Sequence, residues 1–583
     1  MTKRYSCKLA HINDTHSHFD PTPIHFNLLH QGKALTLHTH TGGYSRLGFQ
    51  IEKARHQAIE NQQNFLFLHG GDSFQGTLYF REFKGRANAH LLNLLQPDAM
   101  VLGNHEIDAG NGPVASFLDN INFPLLAGNM DLSQEAPNKQ AKLKNHPNLL
   151  DFDPQTQTAK VLLKPFNDKT LAIVGITLDQ MKDIARPDPD THFIDAIETT
   201  QKTVNKLKQQ GINHIIVLSH LGLNQDKLLA EKVPEISLIV GGHSHSLQGD
   251  FSQLGLPSLP YAETVNTVPI LQAGKYAETL GIVDIDFNAK GQVTRLHGHN
   301  YFMLDKHFIL ESTEEIAEED YPWAKNQLEN HPNILWDAQQ DTIQSAIETL
   351  YRPALIALEE QVINVIPRPF IHTRLPSKHL PHGSEISPWV SRSIYHETRI
   401  LDERIDFALH NAGGVRQSLA KGRLTLAEVV GRLLPFDLPL VKYQIQGKYL
   451  YQAIESSINH ATNNGVIGTG AGSFPYTYGL RYFYEGGRPL GQRITQLDLL
   501  MQDNVHSSNQ EAIWKTIEYE EYYVGVSSEY TASGKEGYQA LKQACWQSAI
   551  DELSLAEAFI QFMQKEQNME QALPLQVHYQ SHL

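Results

Sequence analysis

Ala99-Met-Val-Leu-Gly-Asn-His-Glu-Ile-Asp108 sets a short apolar run directly against a loop of glycine, amide, imidazole and carboxylate side chains. A brief apolar run bounded by turn formers reads as a buried strand. Polar groups just past a strand stand where ligands collect in open α/β sheets. The same junction recurs at His11-Ile-Asn-Asp-Thr-His16, His69-Gly-Gly-Asp72, Ser219-His220 and Gly241-Gly-His-Ser-His245. Each follows an apolar run: Lys8–Ile12, Asn64–Leu68, His214–Leu218 and Ile236–Val240, with Leu171–Ile176 as a further strand of the same kind. Helical stretches separate them, so the first half reads as a layered α/β domain. Val268–Leu271 and Gly281–Phe287 are candidate strands that close it.

Five clusters of one chemical type at strand ends would converge on one place. Residues i and i+2 of a strand share a face, which pairs Asp14 with His16 and His243 with His245. Mixed carboxylate, imidazole and amide donors suit divalent transition ions such as Zn, Mn, Co or Fe. Asp72 has the lone pairs to bridge two of them. The paired glycines ahead of Asp72 and His243 allow a tight turn and close backbone approach. His25, His30, His38 and His40 lie outside these junctions and read as ordinary polar side chains.

The chain has 583 residues, enough for two or more domains. Lys and Arg total 48 against 64 Asp and Glu, a net charge of −16 that argues against DNA or RNA as the main partner. A small nucleotide remains compatible with that field if local cations offset it. Cys7 and Cys545, near opposite ends, form neither a disulfide framework nor a zinc cluster and read as free, buried thiols. No apolar run approaches the ~18 residues of a membrane span. The opening Met1-Thr-Lys-Arg-Tyr-Ser-Cys-Lys has no signal-peptide core, which reads as cytoplasmic for the chain as given, and as periplasmic or secreted if a leader was removed. Oligomeric state is not legible.

From Trp336 to Val362 apolar residues fall near helical spacing, and a bridging helix broken or kinked near Pro353 is expected to link two domains. Beyond it, strand-like runs (Ile405–Leu409, Leu440–Ile445, Leu480–Tyr484) alternate with amphipathic stretches (Tyr449–His460, Tyr538–Gln547) and a glycine-dense Gly465–Gly472.

The ordered series Asp-x-His, Gly-Gly-Asp, Gly-Asn-His-Glu, Ser-His and Gly-His-x-His resembles the calcineurin-type metallophosphoesterase domain. Asn-Asp-Thr-His and Leu-Gly-Asn-His-Glu-Ile-Asp are similar to its 5′-nucleotidase branch. That resemblance implies a four-layer α/β/β/α sandwich over residues 1–335, a linker helix over 336–362, and a smaller α+β nucleotide-specificity domain over 363–583. It also implies two divalent metal ions, one held by Asp14, His16, Asp72 and His245, the other by Asp72, Asn104, His220 and His243. His105 and Asp108 match the catalytic pair, and the two cations would polarise the phosphoryl group and activate an in-line water.

In the second half, Leu409-His-Asn-Ala-Gly-Gly-Val-Arg416 resembles the family's Asn-x-Gly-Gly-x-Arg motif, with Asn411, Gly413, Gly414 and Arg416 as substrate-binding residues. Phe436 of Leu434-Pro-Phe436 and Tyr530 of Tyr530-Thr-Ala-Ser-Gly-Lys-Glu-Gly-Tyr538 match the rings that sandwich a nucleobase, with Tyr530 in place of the common Phe. Glu536 replaces the usual ribose-binding Asp. The phosphate contact falls to Arg374 or Lys378, because the family's usual basic cluster is absent from Arg374-Leu-Pro-Ser-Lys-His-Leu-Pro-His-Gly-Ser-Glu-Ile-Ser-Pro388. His382-Gly-Ser-Glu, Ala461-Thr-Asn-Asn-Gly465 and Gly470–Tyr478 look most like the NAD nucleotidase subgroup. The implied activity is release of phosphate from nucleoside 5′-monophosphates, with cleavage of NAD or other dinucleotide pyrophosphates. UDP-sugar, 2′,3′-cyclic nucleotide and sulfur-carrier substrates of related enzymes are the alternatives. Metals on one domain and the base pocket on the other imply a hinge at the linker.

Overall fold

The structure is a computed structural model that describes residues 5–581 other than 337, 437, 467, 469 and 503–511. Asp337 of the expected linker, and Ile467 and Thr469 of the glycine-dense run, lie outside the described residues. The chain divides into two compact units, Met1–Pro353 and Ala354–Leu583.

In the first unit, strand Lys169–Thr177 shows why continuous apolar runs form the middle of a layered fold. Leu171 and Ile173 point into a core shared with Leu9, Leu68, Val101 and Val283 of a second sheet. Ala172, Val174 and Ile176 point the other way, onto Val204, Leu207 and Leu229 of two helices. Strand His214–His220 repeats the division, with Ile216 and Leu218 inward and Ile215 and Val217 toward the helices. A strand buried on both faces needs no polar alternation.

Strands Lys169–Thr177, His214–His220, Leu238–Val240 and Val268–Leu271 run parallel in a six-stranded sheet with antiparallel edges. In the facing sheet Tyr5–Ile12, Asn64–His69 and Ala99–Val101 are parallel neighbours, and Thr279–Phe287 pairs antiparallel with Tyr5–Ile12. Helix Tyr44–Glu60 packs on the outside of that sheet. The result is four layers, α/β/β/α. The hairpin Thr22–His30/Lys33–Thr41 extends the larger sheet and was not legible as strands. It carries the extra histidines, of which His30 pairs with Asp320 at 2.8 Å and His38 with Glu311 at 3.1 Å.

The linker differs in detail from its sequence reading. Trp336 ends a strand, Ile334–Trp336, paired with Val293–Leu304. The helix starts at Asp341, continues through a π-helical turn at Ile347–Tyr351, and ends at Glu360. Pro353 does not break it, because the widened turn just ahead absorbs the hydrogen bond that proline cannot donate.

The second unit is α+β. Phe407–Asn411 lies between Pro475–Tyr478 and Tyr522–Ser528, and Pro439–Gln446 and Trp546–Ser554 continue the five-stranded sheet. Helix Gly447–Thr462 buries Leu450, Ile454, Ile458 and Ala461 at three- and four-residue spacing against Phe407, Leu409 and Tyr443. The stretch Tyr538–Gln547 is not a helix. It forms a short 3-10 turn, Gln539–Gln543, and then enters strand Trp546–Ser554, since pairing with Pro439–Gln446 outweighs local propensity. Both thiols are free, but only Cys7 is buried, and Cys545 is exposed just ahead of that strand. Among the described residues no helix is long and apolar enough to cross a membrane.

Ile216→Ala removes a buried side chain between the two sheets and is expected to cost ~2–5 kcal/mol. The urea midpoint of the intact chain measures it, and a loss below ~1 kcal/mol would mean that this core is not close-packed.

Candidate metal centre

All five junctions end on one edge of the sandwich. Asp14 lies two residues past strand Tyr5–Ile12, Asp72 three past Asn64–His69, Asn104 three past Ala99–Val101, and His243 three past Leu238–Val240, while His220 ends its own strand. The pairing of Asp14 with His16 and of His243 with His245 does not come from a strand face. All four have left-handed backbones, with φ of 51°, 47°, 74° and 54°. Their loop is held by neighbours instead: the N–H groups of Asp14, His16 and Ser17 donate to the carbonyls of Gly71, Asp72 and Ser73 at 2.8–3.0 Å. Glycines permit this contact between loops. A Cβ on Gly70 would stand 2.6 Å from the Gly241 carbonyl oxygen, and one on Gly242 would strike the Gly70 carbonyl.

The ligand atoms meet in three overlapping groups: Asp14, His16 and His245; His16, Asp72 and His105; and Asp72, His220 and His243. His16 Nε2 lies 3.0 Å from His245 Nε2, and Asp14 Oδ1 lies 3.5 Å from the latter. Asp72 Oδ2 is 3.1 Å from His220 Nε2, and Asn104 Oδ1 is 2.9 Å from His243 Nδ1 and 3.3 Å from His220 Nε2. His220 donates Nδ1–H to the Gly70 carbonyl at 2.7 Å, which turns Nε2 toward Asp72 and Asn104. His16 faces the Phe74 carbonyl with Nδ1 at 3.3 Å in the same way.

Burial lowers His16 far below the ordinary imidazole range and takes His243 and His245 to about 4, so all three are neutral, the ligating form. Burial also opposes charge on His220, but Asp72 outweighs it and carries the ring to about 9. The neutral rings His16, His243 and His245 with the carboxylates of Asp14 and Asp72 and the Asn104 carbonyl form an oxygen and nitrogen donor set that fits divalent ions. His105 Nδ1 lies 2.5 Å from Asp108 Oδ2, and its Nε2 is 4.0 Å from Asp72 Oδ2. Burial opposes its charge, yet Asp108 and Asp72 raise it to about 10. His105 can therefore act as a cationic donor beside the carboxylate shared by two of the ligand groups.

In the second unit the expected residues also gather. Asn411 ends strand Phe407–Asn411, Gly413 and Gly414 form the turn after it, and Arg416 lays its guanidinium 5.5 Å from the Phe436 ring centre. Glu536, left-handed at φ 50°, accepts from Asn411 Nδ2 at 3.1 Å and from the Tyr530 hydroxyl. Burial raises the pKa of Glu536, while Asn411, Arg374, Tyr530 and Arg416 oppose the rise. Arg374 thus belongs to the group around this carboxylate, and Lys378 is exposed further along the loop. Gly472 adds its carbonyl, 3.3 Å from Asn411 Nδ2.

Two features of the metal centre escaped sequence reasoning. Glu106 lies inside the motif but carried no assigned role. Its buried carboxylate accepts N–H bonds from Asp72 (2.9 Å), Ser73 (2.7 Å), Phe74 (3.0 Å) and Gly103 (2.8 Å). With Gly71 N–H on His69 Nδ1 at 3.1 Å, four successive amides of the Asp72 loop end on side chains. Only the doubled glycine ahead of Asp72 hinted at such a turn. Tyr276, 5.6 Å from the His16 ring and stacked on His18 at 4.2 Å, had no sequence signal, since it depends on left-handed backbone at Tyr276 and Ala277. Glu106→Gln turns one acceptor into a donor facing N–H groups, and metal affinity is expected to fall 10- to 100-fold in a chain that still folds. Calorimetric titration with Mn²⁺ measures it, and unchanged affinity would remove Glu106 from this role.

The family model for calcineurin-like phosphoesterases matches residues 7–247, and that for the 5′-nucleotidase C-terminal domain matches residues 377–543. A probable 5′-nucleotidase of Treponema pallidum is 28% identical over 97% of this chain and 92% of its own length. The NAD 5′-nucleotidase of Haemophilus influenzae is likewise 28% identical, with the same shares covered. The crystal structure of a 5′-nucleotidase precursor from Thermus thermophilus superposes with a TM-score of 0.69 at 27% identity, covering 98% of this chain and 99% of that one. With both domain models matched in order and the ligand residues brought together at the sheet ends, the chain belongs to the 5′-nucleotidase family of calcineurin-like phosphoesterases.

Proposed function

We propose that this protein hydrolyses the 5′-phosphate ester of nucleotides at a two-metal centre. The observation that carries the proposal is the shared carboxylate: Asp72 belongs to two of the three ligand groups and joins them into one cluster. One ion would take Asp14, His16, Asp72 and His245, and the other Asp72, Asn104, His220 and His243. Two divalent cations in such a cluster polarise phosphoryl oxygens and lower the pKa of an attacking water.

The protein's own groups do the rest. Asp108 orients the cationic His105 ring through Nδ1, so Nε2–H points to the Asp72 side, where it can donate to a phosphoryl or leaving oxygen. In the second unit Phe436 and Tyr530 offer faces for a base, Asn411 and Glu536 polar partners for ribose hydroxyls, and Arg374 and Arg416 forked donors for phosphate. The same pocket supports a second reading, cleavage of a dinucleotide pyrophosphate such as NAD. The segment that resembles the NAD nucleotidase subgroup, Gly470–Tyr478, supplies the Gly472 carbonyl beside Asn411.

Asp72→Ala is expected to lower hydrolysis of AMP by more than about 10²-fold, the scale of one lost transition-state stabiliser, with the circular dichroism spectrum unchanged. Undiminished turnover would overturn the two-metal assignment. Chelation should abolish activity, and Mn²⁺, Zn²⁺ or Co²⁺ should restore it. Phe436→Ala should raise KM for AMP by about tenfold, the worth of one stacked base, and leave hydrolysis of p-nitrophenyl phosphate unaltered. An unchanged KM would remove the ring from base binding.

A further inference from the structure

Glu106 orders the loops that carry Asp72 and Asn104, but its four amide bonds reach none of the residues from Ser219 to His245. A second buried carboxylate, Asp226, serves that stretch, and the proposed chemistry assigns it no part. It lies in the first turn of helix Leu223–Lys232, just past the strand end that carries His220.

Ser219 Oγ donates to Asp226 Oδ1 and accepts the Leu221 N–H at 3.2 Å, so one hydroxyl grips the chain on both sides of His220. Gln272 Nε2 donates to Asp226 Oδ2 at 3.2 Å and to the Gly242 carbonyl at 3.1 Å, one residue ahead of His243. Gln272 is itself anchored: its N–H donates to Gln248 Oε1 at 2.9 Å, and its carbonyl accepts from Asn300 Nδ2 at 2.7 Å. The carboxylate also packs on the chain, since a Cβ on Gly241 would stand 2.3 Å from Asp226 Oδ2. A separate arm serves His245, where Gln272 Oε1 accepts from Ser244 Oγ at 2.9 Å and from the Ser246 N–H at 3.4 Å. Asp226, Ser219, Gln272, Gln248 and Asn300 are all buried, so water does not compete for these bonds.

We infer that Asp226 is a positioning residue for one ion of the pair, fixing His220 and His243 and thereby the ion assigned to Asp72, Asn104, His220 and His243. This rests on the two-metal reading and deepens it. That ion takes two ligands from the Asp226 network. The other takes Asp14, His16 and Asp72 from loops outside it, and its His245 is held through Gln272 Oε1, which does not bond Asp226. Loss of Asp226 therefore loosens one ion and spares the other.

Calorimetric titration of the metal-free full chain with Mn²⁺ tests this. The unmodified protein is expected to bind two Mn²⁺. Asp226→Ala should hold one of them 10- to 100-fold more weakly and the other within about threefold. Ser219→Ala should weaken the same ion about fivefold, the worth of one hydrogen bond, and it decides alone if Asp226→Ala does not fold. The Mn²⁺ concentration for half-maximal hydrolysis of AMP should rise with the weakened ion, while kcat at saturating Mn²⁺ stays within about threefold. A residue that only supports the fold would lower the urea midpoint of the metal-free chain and leave both affinities alone. Two ions weakened alike, or neither weakened, in a chain that hydrolyses AMP overturns this inference and leaves the nucleotidase reading standing. Fewer than two bound Mn²⁺ in the unmodified protein overturns the two-metal reading together with it.

Discussion

A single buried carboxylate holds the Asp72 side of the metal centre in shape. Glu106 gathers the main-chain amides of Asp72, Ser73, Phe74 and Gly103, and so ties the loop after one strand to the loop after the next. Asp72 itself stands at φ 56°, a conformation that a non-glycine residue keeps only when its surroundings dictate it. Four donors on one carboxylate supply that dictation, and the loop has no spare amide to trade for another geometry. The carboxylate shared by two ligand groups therefore reaches the site already oriented, as preorganised catalysis requires.

The loop after the first strand is fixed through the loop that Glu106 holds. Asp14, His16 and Ser17 take their positions by donating to carbonyls 71–73, so their geometry is borrowed from the Asp72 turn. The Gly70 and Gly242 backbones touch across the gap between the two sheets, which sets how closely His220 and His243 approach Asp72. The sandwich core beneath, with Leu171 and Ile173 against Leu9 and Val101, keeps the two strand-end rows facing each other. Packing, loop pairing and ligand geometry form one chain of dependence, and a cavity deep in the core would be felt at the metals.

Charge is apportioned with similar economy. The first unit buries Asp14, Asp72 and Glu106 near one another, a cluster that divalent cations would stabilise. The second unit gathers Arg374, Arg416 and Lys535 where a phosphate-bearing ligand would be recognised. A strongly acidic protein can thus take an anionic substrate, because the field near a site is set by its nearest groups rather than by the net charge.

The α/β layering of the first unit was readable from apolar runs ending in Asp, Asn or His, because burial on both faces of a strand leaves a continuous apolar stretch. The gathering of the candidate ligand residues was readable too, since five like clusters at strand ends have one common destination. Sequence could not reveal that Asp14, His16, His243 and His245 meet through left-handed loops rather than a strand face, as those dihedrals come from amides and carbonyls supplied by distant residues. Nor could it show Tyr538–Gln547 as a turn and strand, where pairing to Pro439–Gln446 overrides helical spacing. Local spacing determined which residues are chemically competent. The contacts between loops far apart in the chain decided where their atoms point, because orientation depends on partners that no local pattern encodes.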